Sequence, residues 1–289
     1  MASAIVGIDV GTVAVRVATV ELKGGEDRRA GAVLSGLAEV PIPAGVVRAD
    51  SIEEPGALRQ VVKEALSSAG AKSKKAIVAV GHPSVVVREV AVPAQSMDKV
   101  RESLAFHVQE SLPMAIDDAQ LDFCPTAEQE TEQGPMLRGL LVASPREIVR
   151  DLVTAIDGTG VGIAAIDHSA LALWRATVRG ELAFGNVAVV NVGASSTTVL
   201  VSQGGAPRLV RVLPQGGNDA TKAVASAFKG QNVDAEGLKR QSGMNVQAAS
   251  AELRPAADAV AQVMGPLIES IRNTLVYFAS SNPGAAAER

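Results

Sequence analysis

Apolar residues alternate with small or polar ones from Ile5 to Val10 and again up to Val20, with Gly11 and Thr12 between the two runs. A period of two marks β-strands, and a glycine between such runs marks a tight turn. The pattern predicts a hairpin with Asp9 at the end of its first strand. Gly11 is expected to adopt positive φ. The backbone N–H groups beyond Asp9 and the Thr12 hydroxyl are expected to lie bare, the kind of loop that accepts phosphate oxygens. The same build recurs from Val187 to Val201: apolar strand, Asn191, Val192, Gly193, a hydroxyl-rich turn with Ser195, and a β-branched strand starting at Thr197. Asn191 answers Asp9, and Gly193 answers Gly11. Two copies in separate halves predict a duplicated fold whose turns face one ligand.

Between and after the hairpins, the pattern switches repeatedly between periods of two and 3.6. Lys23 to Arg29 reads as a charged turn, Val33 to Val40 as a strand, and Pro41 to Gly45 as a crossing. Pro55 to Ala69 carries Leu58, Val61, Val62, Ala65 and Leu66 at helical spacing, with Pro55 in the first turn and Gly70 past the end. Ala76 to Gly81 is a short buried-type strand. This mixed order points to an α/β fold. Val85 to Val92 is a strand, and Met97 to Leu112 a helix with Ser96 as N-cap and Pro113 as its stop. Leu121 to Thr126 and Met136 to Ala143 are strands around an acidic, mobile loop, Glu128 to Gln133. That block reads as an inserted subdomain. Pro145 to Ile156 and Ser169 to Val178 are helices flanking a strand at Gly162 to Ile166. Past the second hairpin come a strand from Pro207 to Val212 and a Gly216-Gly217 turn. A helix from Asp219 to Phe228 follows, whose first N–H groups are expected to favour an anion. Val233 to Gln241 is a short helix with Glu236 and Lys239 on one face. Ala248 to Ala279 is helical, broken or kinked at Pro255 and Gly265-Pro266. The boundaries that follow are 1–84, 85–144, 145–180 and 181–289.

Composition narrows the chemistry. Apolar residues make up 47% of the 289 positions but aromatics only 2%, so the core is aliphatic. Single-stranded nucleic acid needs stacked aromatics and a basic groove, and the net charge of −4 supplies no such footprint. A lone Cys124 allows no intramolecular disulfide, suits a reducing compartment and reads as a small buried apolar residue. No run approaches the roughly 18 apolar residues a membrane span requires, and the N-terminus lacks a signal-peptide pattern. A cytoplasmic protein without direct membrane insertion is expected. His82, His107 and His168 have no metal-ligand spacing, and no Walker A motif, nucleophile elbow or Cys/His pair occurs.

Several side chains can serve a phosphate ligand. Asp9 can hold a divalent cation through water, or simply end a strand in a turn. Arg16 can reach phosphate, or sit on a solvated strand face. Ser195 and Thr197 support the turn, and either can donate to phosphate. Asn191 is informative by type, because an amide cannot accept a proton from an attacking water and so weakens any hydrolysis. Glu236 and Lys239 can flank a nucleobase and ribose, or form an ordinary surface pair.

Val85 to Pro93, Leu104 to Pro113 and Leu121 to Phe123 are similar to the PilM family of type IV pilus assembly, a relative of FtsA in the actin-like ATPase superfamily. Gly139 to Ala143, Asp167 with Ala170 and Leu171, and Gly216-Gly217 with Thr221 continue the likeness over nearly the whole chain. The resemblance implies an actin-like (ribonuclease H-like) duplicated α/β fold with an FtsA/PilM-type inserted subdomain. It implies ATP and Mg²⁺ as cofactors, with hydrolysis weak or absent. The two hairpins become its phosphate-1 and phosphate-2 loops. Its nucleotide-binding set becomes Asp9, Gly11, Thr12, Arg16, Asn191, Gly193, Ser195, Thr197, Gly216, Gly217, Glu236 and Lys239, with Asp9 facing the metal. A groove beside the subdomain is implied to bind the cytoplasmic N-terminal peptide of a PilN-like inner-membrane protein. Other platform proteins and motor ATPases are further implied partners, and the chain would sit peripheral to the inner membrane. The family's strand and glycine-rich adenosine motif after the long helix have no counterpart before Arg289. Alternatives are a small-molecule kinase of the same superfamily, a nucleotide-free peptide-binding adaptor, or an FtsA-like membrane-tethered filament. The last needs an amphipathic C-terminal helix, for which the Pro-Gly-Ala tail is unsuited.

Overall fold

The computed structural model describes residues 3–22, 31–48, 51–132, 134–229 and 231–288. The turn expected from Lys23 to Arg29 and the last residue of the expected acidic loop, Gln133, lie outside them. The chain divides into two compact units, Met1–Thr177 and Val178–Arg289.

In the first unit, β1 (Ser3–Val10) and β2 (Ala14–Leu22) form the expected hairpin, and β3 (Ala32–Pro41) extends it antiparallel. A two-residue ladder of β4 (Val47–Arg48) and β5 (Ser51–Ile52) follows the crossing, too short to leave a periodic signal. Helix α1 (Pro55–Ser68) buries the five apolar residues its spacing singled out. Strand β6 (Lys75–Val80) then returns parallel beside β1. Next comes the subdomain sheet, built from β7 (Val86–Pro93), helix α2 (Met97–Val108), β8 (Ala119–Thr131) and β9 (Gly134–Pro145), in strand order β7-β9-β8. Helix α3 (Arg146–Ile156), strand β10 (Gly162–His168) and helix α4 (Ser169–Thr177) complete the unit. The main sheet has order β10-β6-β1-β2-β3. Its core packs Val6, Ile8, Val15, Val17 and Val78 against Leu58 and Val62 of α1 and Leu152 and Ile156 of α3.

Four expectations change in the subdomain. From Glu128 to Thr131 the acidic stretch is strand rather than loop: β8 and β9 stay paired to Thr131↔Gly134, because cross-strand bonds satisfy the backbone even where side chains on both faces are wet. Ser96 occupies the N-cap position, and its carbonyl accepts from Val100 N at 2.9 Å, but its hydroxyl makes no capping bond. Helix α2 ends at Val108, and a 3₁₀ turn, Gln109–Ser111, carries the chain toward Pro113. Cys124 is exposed, since it alternates on β8 with Phe123, which takes the inward position.

The second unit repeats the hairpin. Strands β11 (Asn186–Val192), β12 (Thr197–Gln203) and β13 (Ala206–Leu213) form an antiparallel sheet in that order. Helices α5 (Gly217–Ala227), α6 (Ala235–Ser242) and α7 (Arg254–Ser281) follow. The expected helical run starts only at Arg254, with residues 248–253 lying outside the helix, and from there α7 continues through Gly265-Pro266 without a break. Pro255 sits in its first turn, where no backbone donor is needed, and Pro266 is carried inside the helix. An interior proline costs about 3 kcal/mol, while each buried large apolar side chain contributes about 1.5–3 kcal/mol. Val260, Leu267 and Phe278 all face the core, so burial prevails.

Gly36 on β3 marks the closest backbone approach in the first unit, because a β-carbon there would run into the Ala69 carbonyl at the end of α1. Gly36→Ala is expected to destabilise the protein by about 1–3 kcal/mol, read as a lowered urea midpoint. An unchanged midpoint would show that the strand and helix can part without cost.

Candidate functional site

The first hairpin closes on itself. Gly11 N donates to Ala14 O at 3.0 Å, and the Val13 carbonyl accepts from Ile42 N at 2.9 Å. Gly11 is absent from the positive-φ glycines, which corrects the expectation of a left-handed turn residue. Its need for glycine is one of space: a β-carbon would sit 3.1 Å from Ala14 O. The second hairpin has the same build, with Gly193 N donating to Ser196 O at 2.9 Å and no positive φ. A β-carbon at Gly193 would come 2.9 Å from that same oxygen. The N–H groups of both glycines, expected bare, close their own turns.

One transverse row of the first sheet carries the charge. Asp9 lies opposite Arg16 on β2, and Arg16 lies opposite Glu39 on β3. On the other side, Asp9 pairs with Ala79 and Ala79 with Asp167, so the five strands contribute Asp167, Ala79, Asp9, Arg16 and Glu39 to one row. The three parallel strands β10, β6 and β1 all point their C-terminal ends the same way, the edge where open α/β sheets place ligands. Arg16 Nε bonds Glu39 Oε2 at 2.6 Å and its Nη1 lies 3.6 Å from Asp9 Oδ2. Its guanidinium is therefore engaged along the row. Asp167 is bound by Arg175.

Asp9 keeps 47% of its side-chain surface exposed. Burial of the rest holds its pKa above the usual carboxylate value, and the Arg16 charge and hydrogen bond offset only part of that rise. Among the described residues no group of three or more His, Cys, Asp or Glu side chains could enclose a metal. A magnesium ion, however, is commonly bound through one carboxylate, waters and phosphate oxygens, and the half-exposed Asp9 fits that demand. His168, next to Asp167, is no ligand candidate: it is buried, its Nδ1 accepts from Ala170 N at 3.1 Å, and burial lowers its pKa to about 4.

In the second unit the turn is clasped to the start of α5. Gly217 N donates to Gly193 O at 2.9 Å, and Asn218 N to Ala194 O at 2.7 Å. Gly216 N donates to Asp219 Oδ2 at 3.0 Å, and Asp219 N to Gly216 O at 3.1 Å. The helix start, expected to offer N–H groups to an anion, has spent those of Gly216 to Asp219 inside the protein. Gly216 is required by this docking, since its β-carbon would meet Gly193 O at 2.6 Å and Ala194 O at 2.7 Å. Thr197 is corrected too. It is fully buried and its hydroxyl donates to Gln215 O at 2.8 Å, so it braces the sheet. Asn191 is exposed at the edge of the sheet, and Ser195 is half-buried in the turn.

Behind the clasp, Glu236 and Lys239 form a network rather than an isolated surface pair. Lys239 Nζ lies 2.6 Å from Glu236 Oε2 and donates to Thr221 Oγ1 at 2.9 Å and Gly217 O at 3.2 Å. The Thr221 hydroxyl donates to Glu236 Oε2 at 2.6 Å, and Arg240 Nε to Glu236 Oε1 at 2.9 Å. Thr221, Asp219, Glu39 and Asp167 were not among the site residues expected from sequence. Glu39 did leave a signal, as the lone charge on an otherwise apolar strand in register with Arg16.

Residues 7–286 match the family described as type IV pilus assembly protein PilM. The chain belongs to the PilM family. A solved PilM–PilN type IV pilus biogenesis complex superimposes with a TM-score of 0.81 and 27% identity, covering 96% of this chain and 78% of that one. The cell division protein FtsA of Bacillus subtilis is 29% identical over 107 residues, which are 37% of this chain and 24% of FtsA. FtsA of Streptococcus pneumoniae is 33% identical over 104 residues, 36% of this chain and 22% of FtsA. The match thus spans about a quarter of each of these curated relatives. The ethanolamine utilization protein EutJ of Carboxydothermus hydrogenoformans, at 15% identity and a TM-score of 0.52 over 94% of this chain and 72% of EutJ, shares the fold. The expected actin-like α/β architecture is thereby established for this PilM-family chain. Among the described residues, no helix is long and apolar enough to cross a membrane.

Partial burial raises the Glu236 pKa, but the hydrogen bonds from Lys239, Thr221 and Arg240 outweigh it and hold the pKa near 2, against an ordinary 4.5. A carboxylate depressed in the folded state stabilises it above the unfolded pKa. Stability is then lost as pH falls from about 4.5 toward about 2. Chemical denaturation across that window should show a steeper loss for the parent than for Glu236→Gln; identical pH slopes would dissolve the network's role.

Proposed function

We propose that this PilM-family protein is a nucleotide-binding adaptor of type IV pilus assembly, which captures the cytoplasmic N-terminal peptide of a PilN-like inner-membrane protein. The observation that carries the reading is the likeness over 96% of the chain to a PilM solved in complex with PilN. In this reading ATP and Mg²⁺ are the cofactors. Bound Mg²⁺ neutralises phosphate charge; Asp9 holds it through water, while Thr12 and Ser195 donate hydroxyls to phosphate oxygens. Glu236 and Lys239 stand on the adenosine side, and Lys239 keeps 19% of its side chain exposed for that contact. Asn191 offers no proton acceptor, so turnover is slow and the nucleotide acts mainly by biasing conformation. The membrane is reached through the PilN-like partner, and other platform proteins or motor ATPases dock on the same assembly.

A second reading, a nucleotide-free peptide adaptor, is favoured by one observation: the N–H groups from Gly216 to Asp219 are already bonded within the protein.

Titration with a fluorescent ATP analogue in Mg²⁺ separates the two. Lys239→Ala and Gly11→Val are expected to weaken binding at least about tenfold, or about 1.4 kcal/mol, with folding checked by thermal melts. Equal affinity in parent and both variants would end the nucleotide assignment. A calorimetric titration with the N-terminal peptide of a PilN-like protein should saturate in either reading; a flat trace would remove the adaptor role itself.

A further inference from the structure

The charged row of the first sheet comes as a set. Asp9, Arg16 and Glu39 are direct cross-strand partners on β1, β2 and β3, so their side chains leave the same face of the sheet. Ile8, Val15, Val17 and Val40 take the other face, in the core shared with α1. The corresponding row of the second sheet is Asn191, Thr198 and Val212, which carries no charge. Where an amide stands in place of the first carboxylate, the arginine and the glutamate are missing too. That pattern ties Glu39 to Asp9 across the strand between them.

Distances show what the outer carboxylate does. Arg16 Nε lies 2.6 Å from Glu39 Oε2, the length of a strong charge-assisted hydrogen bond, while Arg16 Nη1 stays 3.6 Å from Asp9 Oδ2. Arg16 is thus committed to Glu39 and only leans toward Asp9. The same Nη1 lies beside the turn, since a β-carbon at Gly11 would come 3.7 Å from it. All three side chains are half-exposed, so the guanidinium is held by its partners rather than by packing. A guanidinium prefers two parallel bonds to a single carboxylate. With Glu39 removed, Asp9 is the carboxylate left to Arg16 within the row, and closing that gap would occupy the oxygens a cation needs.

We propose that Glu39 is a positioning residue that draws Arg16 back along the row and keeps the Asp9 carboxylate open to a divalent cation. Arg16 and the cation are then rivals for Asp9, and Glu39 decides between them from two strands away. The inference rests on the reading that Asp9 takes a divalent cation, and it is independent of nucleotide binding. A Glu39 that merely formed an exposed ion pair on an edge strand would act by its charge alone, weakly and regardless of Arg16.

The probe is Mn²⁺ alone, added to the full chain without nucleotide and followed through paramagnetic broadening of the Val10 and Gly11 amide signals. Glu39→Leu is expected to weaken Mn²⁺ binding at least about fivefold and Arg16→Gln to tighten it about threefold, with folding checked by circular dichroism. In the Arg16→Gln background, Glu39→Leu should weaken binding less than about twofold, the screened effect of one lost charge. An equal loss in both backgrounds would reduce Glu39 to a distant charge and overturn the proposal, while leaving Asp9 as the cation site. Unchanged or tighter binding in Glu39→Leu would overturn it as well. Absence of broadening at Val10 and Gly11 in both the parent and Arg16→Gln would remove the cation from Asp9 and the proposal with it. The ATP-analogue titration would then still decide nucleotide binding on its own.

Discussion

Backbone meeting backbone with nothing between is the constraint on which the second unit depends. The carbonyls of Gly193 and Ala194 accept the N–H groups of Gly217 and Asn218, and no side chain could be inserted at Gly216 without striking both oxygens. The contact fixes the hairpin turn to the first turn of α5. Thr197 reinforces it from one side through Gln215, whose amide continues to the Val263 carbonyl on α7. Lys239 reinforces it from the other through Gly217 O. A turn held this way is preorganised: its hydroxyls and exposed Asn191 are presented by a scaffold that has already met the entropic cost of ordering.

The regular part of this architecture was legible in the sequence because alternation and helical spacing report burial directly. The duplicated hairpins, α1 with its five buried aliphatics and the mixed β-α order all follow from that signal. Where the outcome departed, tertiary context had replaced a local rule. The β8–β9 tip lacks alternation because both its faces are wet, yet its ladder is complete. Pro266 carries a local signal to stop a helix, which the burial of Leu267 and Phe278 overrides.

Less of the candidate site could be read. The reason for Gly11 was misassigned, since its φ is not positive and a β-carbon there would only crowd Ala14 O, whereas Gly193 and Gly216 are demanded by close approach to carbonyl oxygens. Thr197 has the right residue type for a phosphate donor and the wrong position, since its parity along β12 buries it. The row joining Asp167, Asp9, Arg16 and Glu39 depends on strand order and register across residues far apart in sequence, which no local window contains.

The same row makes the two halves chemically unequal. Asp9, Arg16 and Glu39 together carry two negative charges and one positive, while Asp167 is matched by Arg175. The first hairpin therefore keeps a net charge of about −1 beside its turn, and coulombic attraction for a cation persists at short range even in salt. Asn191, at the equivalent position of the second hairpin, lies opposite Thr198 and adds no charge. Duplication supplied two similar turns, but only the first carries a carboxylate at this position. The amide at residue 191 can donate and accept hydrogen bonds, but it carries no charge and accepts no proton near neutral pH.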